Sequence, residues 1–247
     1  LSAVRSAIGT FNGSLSSFEP SELGGIVMKE AVARSGVDPA LINYVTVGNT
    51  IPTDSRYGYV ARVASIQAGL PMESVAMALN RLCSSGLQAI VTTAQQIMLG
   101  DCDYGVGGGV EVMSRGMYGS PAMRSGARMG DTKMIDLMVG ILTDPFGVGH
   151  MGVTAENLVE KWKLTRDEQD ALAVESHRRA ANAIKEGRFK SQIVPITIKT
   201  RKGDVVFDTD EHVKPDTTME TLAKMKAVFK KEGGSVTAGN ASGINDG

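Results

Sequence analysis

Apolar positions along the first 110 residues switch between two periods. Leu23, Ile26, Val27 and Ala31 recur at helical spacing with Gly36 behind them, which predicts a helix and its stop. Residues 42–47 read as a strand. Val60, Val63, Ala64 and Ala68 predict a second helix, closed by Gly69 with Pro71 following. Residues 75–82 read as a buried strand. Leu87, Ile90, Val91, Ala94, Ile97 and Met98 form a third apolar stripe, ended by Gly100. Residues 104–109 are a further, glycine-rich strand. Strand–helix alternation at this spacing argues for a parallel α/β sheet with right-handed crossovers.

The pattern changes after about Ser114. Residues up to His150 are rich in Gly, Met and Arg and read as loops around one apolar helix near 134–142. Thr165 with Glu168 is a capping box opening a long helix to about Lys185. Short polar strands follow near 193–198 and 205–207. Residues 114–235 are therefore expected to form an insertion on a sheet domain made of 1–113 and 236–247. Met123, Met129, Met134, Met138 and Met151 are the usual stuff of a core, and alternatively of an adaptable pocket.

Composition narrows the class. Lys plus Arg is 26 and Asp plus Glu is 27, for a formal charge of -1, so no basic excess draws the chain to nucleic acid or an anionic membrane. Arg115, Arg124, Arg128 and Lys133 collect locally, as a solvated loop or as a contact for an anionic ligand or another subunit. No apolar run reaches the ~20 residues of a membrane helix. Two cysteines are too few for a disulfide scaffold and fit a reducing compartment, the cytoplasm or a mitochondrial matrix. The scattered His and Cys residues suggest no metal site. The first residues, Leu1 to Arg5, lack the order of a signal peptide and an initiator Met, so a processed or incomplete chain is expected.

Asn80-Arg81-Leu82-Cys83-Ser84-Ser85-Gly86 joins a strand directly to a helix. Unpaired amides at a helix N-terminus carry partial positive charge and stabilise a thiolate placed there. The small residues after Cys83 allow a sharp turn and close approach of a substrate, as in the strand–turn–helix elbow of serine hydrolases. A buried, inert cysteine is the alternative. Cys102, between Asp101 and Asp103, reads as structural. Gly105-Val106-Gly107-Gly108-Gly109 fails the dinucleotide spacing and reads as a strand where backbones pack closely. Asn245 and Asp246 read as turn-makers, and His177 and His212 as surface residues.

Five motifs in register resemble the thiolase family. They are Arg5-Ser6-Ala7-Ile8-Gly9-Thr10-Phe11, the Cys83 segment, Gly107-Gly108-Gly109-Val110-Glu111-Val112-Met113-Ser114, His150-Met151-Gly152-Val153-Thr154-Ala155-Glu156-Asn157, and the run from Ala238 to Gly247. The His-Met pair is similar to that of biosynthetic acetyl-CoA acetyltransferases and bacterial β-ketothiolases. The resemblance implies a mixed five-stranded sheet with helices on both faces, plus an α+β inserted loop domain. It implies that Cys83 takes the acyl group of an acyl-CoA as a thioester and that a second acyl-CoA carbanion attacks it, giving a 3-oxoacyl-CoA.

By the same resemblance coenzyme A is substrate and product rather than a resident cofactor. Its pantetheine would lie against His150, Met151, Ala238 and Ser242, and its nucleotide end near Leu142, Lys214, Thr221, Val228 and Phe229. Lys214 and Thr221 depart from the Arg and Ser often found there; Lys keeps the charge but not the planar fork. The family also uses a His in a Gly-His-Pro motif and a second Cys in a Cys-x-Gly motif, supplied by its C-terminal half. No His here precedes Pro, so the 247 residues alone are expected not to turn over. A homodimer or homotetramer is implied. A decarboxylating ketosynthase-like enzyme and a non-catalytic CoA- or lipid-binding subunit are the competing readings.

Overall fold

The computed structural model describes all 247 residues. Packing divides the chain into two compact units: Leu1–Leu137 with Ser191–Glu211 and Asn245–Gly247, and Met138–Lys190 with His212–Ile244. Residues 114–137 and 191–211 thus pack with the sheet, whereas the change in sequence character at Ser114 had assigned them to the insertion.

In the first unit, β1 (Arg5–Ser6) and β2 (Gly9–Thr10) precede helix α1 (Pro20–Ser35), which begins on a proline and closes on Gly36 at φ 71°. Then come β3 (Tyr44–Gly48), α2 (Val60–Gln67), β4 (Val75–Leu79), α3 (Ser85–Leu99) and β5 (Gly105–Gly109). The hairpin β6 (Tyr118–Gly119) and β7 (Ile135–Asp136) leads to the short α4 (Leu137–Ile141). Only this one turn of helix stands where the sequence predicts a longer one. The second unit holds α5 (Met151–Trp162) and α6 (Arg166–Lys185). The chain returns to the first unit as β8 (Ile193–Val194), β9 (Ile196–Thr200) and β10 (Gly203–Phe207). It adds α7 (Met219–Ala223) to the second unit and ends in β11 (Asn245–Asp246).

The parallel ladder runs β4-β3-β5, with Tyr44 opposite both Val75 and Gly105. It continues past β5: Glu111 and Gly247 exchange backbone hydrogen bonds of 2.9 and 2.8 Å, and Val112 bridges Asp246 antiparallel. Since β11 also pairs antiparallel with β2, five strands follow in the order β4-β3-β5-β11-β2. This is the mixed sheet the family resemblance implies. Asp246 is therefore a strand residue rather than a turn-maker. It is fully buried and accepts from the backbone N–H (2.9 Å) and hydroxyl (2.6 Å) of Ser114.

The core lies between α1, α2 and the sheet, where Leu23, Val45, Val60 and Val112 are fully buried. Each such side chain contributes about 1.5–3 kcal/mol. Two elements differ from the sequence expectation. Strand β4 is an edge strand, and Val75 is exposed. The large apolar residues of α3 (Leu87, Ile90, Val91, Ile97 and Met98) also point outward, Met98 being 85% exposed. The face of α3 against the sheet is made of Ser85, Ala89 and Thr93 instead. The reason lies in β5: a Cβ at Gly105 would stand 2.5 Å from Thr93 Cγ2, and one at Gly107 2.8 Å from Ile90 Cα. Strand and helix are too close for large side chains between them. The exposed positions of Met123, Met129, Met134 and Met151 likewise set aside a core role for those methionines.

Candidate active site

Cys83 stands between β4 and α3, one residue before the helix N-cap Ser84, and is exposed. The turn that carries it is strained. Leu82 has φ 51°, a left-handed conformation that costs a non-glycine residue on the order of 1 kcal/mol or more. Surrounding hydrogen bonds hold it there. Asn80 Oδ1 accepts from the Leu82 N–H (2.9 Å), and Asn80 Nδ2 donates to Thr50 O (3.3 Å). Leu82 O accepts from the Ser85 N–H (3.0 Å), the Ser85 hydroxyl (2.6 Å) and the Thr50 hydroxyl (3.2 Å). Ser85 Oγ in turn accepts from the Arg81 N–H (2.8 Å).

The helix start is also seated backbone to backbone. A Cβ on Gly48 would run into the carbonyl carbon and oxygen of Ser85, and one on Gly109 would stand 2.9 Å from Gly86 Cα. Glycine is required at these strand ends because the first turn of α3 occupies the space of a side chain. Cys102, in contrast, is buried, and burial, ahead of the adjacent Asp101 and Asp103, pushes its thiol up.

Behind the elbow lies Glu111. Its carboxylate accepts from Asn49 Nδ2 (3.0 Å) and the backbone N–H groups of Thr50 (2.9 Å) and Ile51 (3.0 Å). Burial pushes this carboxyl up, and the hydrogen bonds of Ile51, Thr50 and Asn49 only partly offset it. The sequence quotes Glu111 inside a motif but gives no hint of its partners, which are about sixty positions away. Leu82 likewise carries no signal of its backbone conformation.

The other predicted residues fall in the second unit. His150 is the N-cap of α5, its Nδ1 accepting from the Gly152 N–H (3.1 Å), which leaves Nε2 to carry the proton of the neutral ring. The imidazole stacks on Phe229, with centroids 4.8 Å apart and planes 17° apart. The Phe229 ring lies on Gly152, where any Cβ would overlap it. The Met151 N–H donates to Leu142 O (2.8 Å), so Leu142, His150, Met151 and Phe229 form one cluster. Val228 joins it through its neighbour, donating its N–H to Val236 O (3.0 Å). Glu156, buried on α5, accepts from the N–H groups of Ser235 (2.9 Å) and Val236 (2.8 Å) and anchors that segment.

Lys214 and Thr221 line an open cleft of about 430 Å³ with Val213, Pro215, Leu222 and Met225. Ala238 and Ser242 are exposed on the loop after Thr237, which Asn240 ties down by donating to Asp170 Oδ1 (2.9 Å) and Ser235 O (3.0 Å). His177 and His212 are half-exposed at the surface and face each other with ring centroids 6.5 Å apart. The Lys214 N–H donates to His177 Nδ1 (3.2 Å), so the pair supports the rim of the cleft. Burial, then the charges of His212 and Lys214, lower the pKa of His177.

Cys83 is thus an exposed cysteine on a strained turn into a helix, carried by a mixed five-stranded sheet. The sequence profile described as "Thiolase, N-terminal domain" matches residues 1–247, and the chain belongs to the thiolase family. It is 54% identical over 246 residues to the beta-ketothiolase BktB of Cupriavidus necator, covering 100% of this chain and 62% of that one. Its structure is similar to that of the Bacillus anthracis acetyl-CoA acetyltransferase, with TM-score 0.95, 47% identity, and 99% of this chain and 62% of the other covered. It is also similar to human mitochondrial 3-ketoacyl-CoA thiolase in complex with CoA, with TM-score 0.93, 37% identity, and 99% and 61% covered. The chain thus spans about 62% of the length of these relatives.

Proposed function

We propose that this chain supplies the acylation half of an acyl-CoA C-acyltransferase, with Cys83 as the nucleophile. The Cys83 sulfur attacks the thioester carbonyl of an acyl-CoA. A new S–C bond forms, the bond from that carbonyl to the coenzyme sulfur breaks, and the thiol proton ends on the departing CoA. The α-carbanion of a second acyl-CoA then takes the acyl group, releasing Cys83 and giving a 3-oxoacyl-CoA; thiolysis runs the same steps backwards. The proton transfers of that second step need a His and a Cys that 1–247 do not offer in the family's motifs. The family's C-terminal half is the source this reading assigns them.

The observation that carries the reading is Cys83 itself, exposed on a turn whose strain is maintained by side chains on both sides. Coenzyme A is substrate and product. Its pantetheine is assigned to His150, Met151, Ala238 and Ser242, and its nucleotide end to Leu142, Lys214, Thr221, Val228 and Phe229. The His150 Nε2–H and the cleft beside Lys214 support this. The outward apolar stripe of α3 and the open edge of β4 support further protein packing on the sheet unit, both the C-terminal half and a second copy in a homodimer or homotetramer. Exposed Arg124, Arg128 and Lys133 are assigned to tetramer contacts. No helix is long and apolar enough to cross a membrane, and a cytoplasmic or matrix setting is proposed.

The test is mass spectrometry of the natural polypeptide containing residues 1–247 after acetyl-CoA or acetoacetyl-CoA is added. An acetyl group on the Cys83 peptide, absent in Cys83→Ala, is expected. A label on Cys102 instead, or none, overturns the reading.

A further inference from the structure

The acylation chemistry does not use Glu111, yet this carboxylate is half-buried, its desolvation raises its proton affinity, and no side-chain cation is paired with it. Each of its hydrogen bonds goes to one short loop, residues 49–51. That loop is what reaches the elbow. Thr50 O accepts from Asn80 Nδ2, and Thr50 Oγ1 lies 3.2 Å from Leu82 O and 3.1 Å from Ser85 Oγ. Leu82 O belongs to the peptide plane that also contains the Cys83 N–H. Holding that oxygen fixes the direction in which the chain passes through Cys83.

We propose that Glu111 is a positioning residue for acyl transfer: acting through the 49–51 loop and the Thr50 hydroxyl, it locks the Leu82–Cys83 peptide and so fixes where the Cys83 sulfur stands. The inference rests on Cys83 being the acylated residue. A carboxylate suits the task because its partners, the Thr50 and Ile51 N–H groups, Asn49 Nδ2 and the Thr50 hydroxyl, are all able to donate, so a group that only accepts is wanted. A glutamine keeps the shape but turns an NH2 group toward one of these donors. The raised proton affinity of the half-buried carboxyl marks a group kept there against its solvation.

The experiment measures steady-state kinetics and the single-turnover acylation of Cys83 in the natural polypeptide, with a thermal melt of each variant. Glu111→Gln is expected to lower kcat and the acylation rate on the order of 10- to 100-fold, as small misplacements of a reacting atom do, while KM changes less than about twofold. Thr50→Val, which keeps the shape but loses the hydroxyl, is expected to lower kcat about 10-fold, and Thr50→Ser to restore it to within about twofold of wild type. A folded Glu111→Gln with wild-type kcat overturns the inference. So does equal behaviour of Thr50→Val and Thr50→Ser, which decides the matter even where Glu111→Gln does not fold. If wild type forms acyl-Cys83 in the same assay, such results strike the inference alone. If wild type forms none, the functional reading falls first and takes the inference with it.

Discussion

Cys83 and His150 both stand just ahead of a helix, but the two junctions are held in different ways. At Cys83 the first turn of α3 rests on the backbones of β3 and β5, with a glycine at each contact. A web from Asn80, Thr50 and Ser85 closes over it. At His150 the start of α5 is covered by the Phe229 ring, and the cap is the histidine's own Nδ1. Backbone against backbone leaves no freedom to yield. A ring against a glycine can swing aside. The rigid arrangement holds Cys83, the proposed nucleophile, while the adaptable one holds His150 and Phe229, which are assigned to a long, flexible coenzyme.

Paired substitutions break this comparison most directly. Gly48→Ala places a methyl group against the Ser85 backbone and must push α3 off the sheet. About 3 kcal/mol of stability and most acylation of Cys83 should be lost, as read by urea unfolding and by the acyl-enzyme assay. Gly152→Ala meets the Phe229 ring first. It should cost about 1 kcal/mol or less and raise KM for the acyl-CoA several-fold, with kcat largely kept, since the ring stack is worth about 0.5–1.5 kcal/mol. If the two variants behave alike, the junctions are not mechanically different.

Leu82→Gly is a finer probe. It removes the left-handed strain and should leave the unfolding midpoint unchanged or raised by the equivalent of about 1 kcal/mol, yet acylation should slow because the turn is no longer confined. Faster acylation would show that the strain opposes the chemistry. The smallest effect is one of pH. The folded state holds the Glu111 proton more tightly than the unfolded chain does. Its contribution to stability is therefore greatest below the ordinary carboxyl value of about 4.3 and falls as pH rises through the raised folded value. In urea titrations the stability of wild type relative to Glu111→Gln should decline over that window, whereas Gly152→Ala should track wild type throughout.

The sheet and helices were legible because period and punctuation are local. Gly36, Gly69 and Gly100 adopt the positive φ that ends a helix, and Thr165 and Glu168 form the capping box their spacing promised. What a face packs against is not local. The stripe of α3 is as regular as any core stripe, and only the bare face of β5 reveals that it points outward. Asp246 looks like turn chemistry until its strand partners are seen, and the partners of Glu111 are far away in the chain. At the site, the position of Cys83 before a helix was readable, and so was the bulk of the second-unit cluster through the family resemblance. The strain at Leu82 and the stack of His150 on Phe229 depend on contacts between segments distant in sequence.

A strand face without side chains has a mechanical consequence. With Gly105, Gly107 and Gly109 in contact range of α3, nothing compressible separates the two, and a shift of the helix by even a fraction of an ångström is resisted along several turns at once. Helix and ladder move as one plate. Cys83, one residue before the cap of that helix, is carried by the same close seat.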